Sequence, residues 1–207
     1  MRINDIKTRY QPRPDMCFQT ALKIVYDELC RSFNQTPNLS MNKIGKWIKK
    51  DEESKYFPDD KGVRDLDYAI SNLNQKFFKK NGYNLNMKVG AEVEMNLIGK
   101  ILDDGNCSAP IVTIDGKYRP PNNKDYEIPQ LENVFHELVV LDLTETKIIF
   151  YDTYAPFNRI DNGGLIMPNA EDTIPRFSTH WGGADREIVW IEKAEKVPAK
   201  NKRQKSL

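Results

Sequence analysis

The chain has 207 residues, 39% of them hydrophobic and 29% charged, and a formal net charge of +1. This suits one soluble globular domain over residues 1–195 and excludes a membrane span, because no run approaches the roughly 18 apolar residues that a span needs. Lys196, Lys200, Lys202, Arg203 and Lys205 make residues 196–207 a basic tail that is expected to be disordered. Taking its +5 from +1 leaves a body of −4, so no nucleic-acid partner is expected.

The first residues lack an apolar signal core, so a cytoplasmic location is expected, with export by a signal-independent route left open. Cys17, Cys30 and Cys107 are odd in number and form no CxxC pair, which implies reduced thiols. With only two histidines, neither a metal site nor another cofactor is expected.

A first helix is expected from Met16 to Arg31. Pro14 stops any helix upstream, Asp15 offers an N-cap, and Phe18, Ala21, Leu22, Val25 and Leu29 form one apolar stripe. "LSMNKIGKWIKK" reads as a second helix capped by Ser40, with Met41, Ile44 and Ile48 inward. "VRDLDYAISNLNQKFFKKNG" reads as a third, with Leu66, Ile70, Leu73 and Phe77 inward and Gly82 after its last turn. "YNLNMKV" alternates Leu85, Met87 and Val89 as a strand does, and "EMNLIGKILDDGN" is a short helix. "PIVTI", "HELVVLDL", "KIIFYD" and "REIVWIEK" then read as strands. Helices first and strands later is the segregated α+β pattern. Residues 117–134 and 155–185 read as two long loops, the first expected to border a cleft because it leads into His136.

With Asp15 as cap, Cys17 falls at the second helical position, where unsatisfied N–H groups and the positive end of the helix dipole favour thiolate. The competing reading is a small buried thiol, which Cys30 and Cys107 also fit. A nucleophile needs a base. "HELVVLDL" and "KIIFYD" form a hairpin around "TET" that puts His136 and Asp152 opposite each other, or two places apart on the same face. A carboxylate there orients an imidazole and supports its charged form. His180 has no acid in matching register and reads as a loop residue near Trp181. Gln11 lies upstream of the cysteine, where its amide can join the Cys17 N–H in an oxyanion hole.

Gln–x5–Cys at a helix start, a distant His opening a strand and an Asp in the next strand resemble the papain-like cysteine peptidases. The resemblance is strongest to the branch that processes bacteriocins by cleaving leader peptides after double glycine, and it is carried by "QPRPDMCFQTALKIVYDEL", "LIGKILDDGNCSAPIVTI", "HELVVLDLTETKIIFYDTY" and "FSTHWGG". It departs from that pattern at Phe18, where the family has a small residue, and at Thr153, where proline is common. The resemblance implies a papain-like fold with an N-terminal helical part packed on a C-terminal antiparallel sheet. It implies Cys17 as nucleophile, His136 as general base and acid, Asp152 as its orienting group and Gln11 in the oxyanion hole. The expected activity is hydrolysis of a protein or peptide substrate. A glutamine deamidase or transglutaminase with the same triad, and a non-catalytic binding module of this fold, remain alternatives.

Overall fold

The computed structural model describes residues 16–48, 66–80, 83–115, 118, 135–153 and 169–194. Its helices and strands form an α+β arrangement around one six-stranded antiparallel sheet. Gln11, Pro14, Asp15, Gly82 and the tail 196–207 lie outside the described residues.

Helix α1 spans Cys17–Ser32. Met16, not Asp15, occupies the N-cap and contributes no side-chain cap, so Cys17 is the first helical residue rather than the second. The expected stripe is buried, but so are Gln19, Thr20, Lys23, Ile24, Tyr26 and Asp27, so α1 is enclosed on nearly every side. Its polar face survives burial because Lys23 and Asp27, one turn apart, form an ion pair. Asp27→Ala would leave the ammonium buried without that partner, and is expected to lower unfolding free energy by about 3 kcal/mol in a urea titration.

Helix α2 spans Met41–Ile48, with the Lys43 N–H donating to Ser40 Oγ at 3.3 Å as a cap should. Helix α3 covers Leu66–Asn72 and continues as a π-helical turn over Leu73–Lys79. Phe77 and Phe78 are both buried in this turn. Strand β1 (Leu85–Gly90) lies at the sheet edge, which leaves Val89 exposed instead of buried with Leu85 and Met87.

Helix α4 (Met95–Asp103) follows, then β2 (Ile111–Asp115), β3 (Phe135–Leu143) and β4 (Lys147–Asp152). Strand β5 (Asn169–Thr173) and helix α5 (Ile174–Gly182) occupy the later part of what the sequence suggests is a loop. Their signal is weak, since "NAEDT" has no apolar alternation, and β5 is held as an edge strand by pairing with β4. Strand β6 spans Ile188–Lys193. The strand order is β1-β6-β2-β3-β4-β5.

The sheet separates two apolar clusters. On one face α1, α2 and α3 pack on Met87, Ile111, Val139, Leu141, Tyr151 and Ile191. On the other, α4 and α5 pack on Val112, Ile114, Leu138, Val140, Phe150 and Ile188. Strand β3 serves both by alternation, so His136 belongs with Leu138 and Val140, and Glu137 with Val139 and Leu141.

Candidate active site

The hairpin β3–β4 pairs Leu138 with Asp152, so His136 and Asp152 are diagonal neighbours on one face. Their side chains meet, His136 Nε2 lying 2.7 Å from Asp152 Oδ1, and both are buried. A register shift between Val140 and Asp142 lets the far end of the hairpin pair one place differently without disturbing this contact. Nε2 is the ring nitrogen that faces Asp152.

Cys17 reaches this pair from the mouth of α1. Its Sγ, a His136 ring nitrogen and a Glu137 carboxylate oxygen all lie within 4.8 Å of one another. Three of the four residues singled out in the sequence therefore converge, and the fourth, Gln11, is outside the described residues. Phe18 turns away into the α1 cluster and is buried, so the bulky residue after the cysteine serves the core.

The electrostatics differ from the expectation of a stabilised thiolate. Burial pushes the Cys17 thiol well above its ordinary value, and the Glu137 carboxylate, which accepts a hydrogen bond from the S–H, pushes it further. The backbone N–H groups of Glu137 and Phe18 act on the sulfur in the opposite direction and do not win. A helix mouth lowers a thiol's pKa only while no buried anion faces it. For His136 burial favours the neutral ring, but Asp152 and then Glu137 outweigh it and raise its pKa. Burial raises Glu137 as well, with Cys17 and His136 opposing and Glu187 adding to the rise.

Glu137 is the residue the sequence reading passes over. A signal was present: alternation along "HELVVLDL" places an acid on the face of Val139 and Leu141, where a core residue belongs. Glu137 pairs across the ladder with Thr113 and lines a recess of about 200 Å³ with Thr113, Leu66, Phe135, Ala184, Asp185 and Glu187. Its Oε2 is buried with no hydrogen-bond partner among the described residues. The far wall is the turn Ala184–Glu187, whose central residues Asp185 and Arg186 have φ of 52° and 49°. The turn is tied down by Glu187 N–H to Ala184 O (3.1 Å) and by the Trp181 indole N–H to Glu187 O (3.0 Å).

His180 is not a loop residue. It sits on α5, its Nδ1 is 3.0 Å from Asp115 Oδ1, and its ring lies edge-on to the buried Tyr118. The acid comes from the end of β2, a pairing between distant segments that no hairpin register could show. Of the segment 117–134, Tyr118 alone is described; its hydroxyl donates to Asp172 Oδ2 at 2.8 Å.

No protein-family model matches this chain, and a search of curated proteins finds no match. Among the described residues no helix is long and apolar enough to cross a membrane.

Proposed function

We propose that this protein is a papain-like cysteine hydrolase acting on amide bonds, with peptides or proteins as substrates. The observation that carries the reading is the carboxylate–imidazole pair, Asp152 to His136 at 2.7 Å, with the Cys17 sulfur beside it at a helix mouth. Once the S–H leaves Glu137, His136 takes the proton and the sulfur attacks the carbonyl carbon. The negative oxygen that develops is assigned to the Cys17 N–H and, from the sequence resemblance alone, to the Gln11 amide. His136 then gives the proton to the departing amine, and water activated by the same ring hydrolyses the thioester. Asp152 keeps the ring oriented throughout and supports its positive charge.

The protein is to be incubated with a peptide library and the products read by mass spectrometry, with an acid quench to trap acyl groups on Cys17. Chain cleavage together with a Cys17 adduct supports the peptidase reading. A mass change without cleavage assigns the same triad to glutamine deamidation. Neither product nor adduct would sink the catalytic reading. One observation favours a second reading, a non-catalytic binding module of this fold: burial and the neighbouring Glu137 carboxyl raise the Cys17 thiol instead of favouring thiolate.

A further inference from the structure

We propose that Cys17, His136 and Glu137 form a binding site for a zinc-class divalent ion, which silences the thiol when it binds. The silencing rests on the hydrolase reading above; the binding does not. Cys17, His136 and Glu137 supply one sulfur, one imidazole nitrogen and one carboxylate oxygen, with these atoms within 4.8 Å of one another. Tetrahedral zinc holds such atoms at about 2.0–2.3 Å, which spaces neighbouring ligands by roughly 3.5 Å. Small side-chain movements therefore close the set, and a water completes the fourth position.

Three further features fit a metal. A ligating histidine characteristically gives its other nitrogen to a carboxylate; Asp152 lies 2.7 Å from His136 Nε2, so Nδ1 is the nitrogen assigned to the metal. The Glu137 Oε2 is buried without a hydrogen-bond partner among the described residues, a cost that coordination relieves. Thiolate and carboxylate together balance the charge of a dication within the set of three ligands. On binding, the Cys17 S–H proton and any proton held on the ligating His136 nitrogen or on the Glu137 carboxyl pass to solvent, and no electron is transferred. The recess that Glu137 lines with Asp185 and Glu187 offers an acidic approach for a cation. Magnesium and calcium prefer all-oxygen shells, so a sulfur–nitrogen–oxygen set discriminates against them.

The test uses the full chain after removal of metals with a chelator. Zinc is titrated against a chromophoric chelator, and cobalt is added to look for the charge-transfer band of a thiolate–cobalt bond. Wild type should bind one equivalent and show the band. Glu137→Gln should bind zinc roughly tenfold or more weakly, and Cys17→Ser should lose the band. In wild type, zinc should protect Cys17 from iodoacetamide, whereas equal magnesium should not. That measurement needs no variant to fold. Absence of binding, equal affinity in Glu137→Gln or unprotected Cys17 would overturn the site. If metal binds and protects Cys17 while no substrate is ever cleaved, the site stands and the hydrolase reading falls. If cleavage requires zinc, the silencing role is wrong.

Discussion

Cys17→Ala is expected to reduce peptide hydrolysis by a factor on the order of 10⁶ while leaving thermal unfolding close to wild type. The size follows from the chemistry, since without the sulfur no acyl intermediate forms and only binding and the oxyanion donors remain. The small effect on stability follows from position. Cys17 is the first residue of α1, and the core contacts of the helix begin at Phe18. Asp152→Asn gives a second, graded reading. The amide preserves the shape of the contact with His136 Nε2 but can present an N–H where the imidazole needs an acceptor, so the ring adopts the wrong tautomer. A loss of roughly 10⁴ in kcat is expected, with KM little changed. Folded Cys17→Ala with wild-type activity would remove Cys17 as nucleophile. An Asp152→Asn variant at full activity would show that the 2.7 Å contact is structural.

Local patterns carried much of this architecture. The α1 stripe, the Ser40 cap and the His136–Asp152 diagonal depend on spacing within one helix or one hairpin, and spacing can be read along a chain. What the pattern hid is non-local. Strand β5 is polar and exists because β4 offers it an edge; His180 finds Asp115 across 65 residues. The enclosure of the polar face of α1 depends on the Lys23–Asp27 pair and on what packs around the helix, neither of which a hydrophobic period reports. The candidate site divides in the same way. Cys17, His136 and Asp152 were legible as motif and register. The state of the thiol was not, because it is decided by Glu137, whose neighbour in space is the start of a helix more than a hundred residues earlier.

Glu137→Gln is expected to make Cys17 more reactive. With a chelator present and labelling followed by peptide mapping, wild-type Cys17 should react slowly with iodoacetamide at neutral pH. Its rate should keep climbing beyond the ordinary thiol value of about 8.5. Cys30 and Cys107 provide the internal comparison, both buried and both with raised thiol values, Cys107 to about 12. Glutamine keeps the volume of Glu137 but replaces the accepting, negative oxygen with an amide able to donate to sulfur. Two influences that hold the proton on Cys17, the carboxylate's charge and its hydrogen bond, are removed together. Each unit by which the thiol value falls multiplies the thiolate fraction at neutral pH by about ten, so an increase of roughly tenfold or more in labelling rate is expected. The same substitution changes how stability depends on pH. Cys17 and Glu137 hold protons more tightly folded than unfolded. Their stabilising contribution is therefore complete below their ordinary values and is lost as pH rises through the folded ones. Glu137→Gln removes the carboxyl's share, so urea unfolding should show a flatter decline than wild type as pH rises from the ordinary carboxyl range. Unchanged labelling in a folded Glu137→Gln protein would mean that burial alone holds the thiol. Faster labelling combined with faster peptide cleavage would identify Glu137 as the brake that substrate must displace before Cys17 can hand its proton to His136.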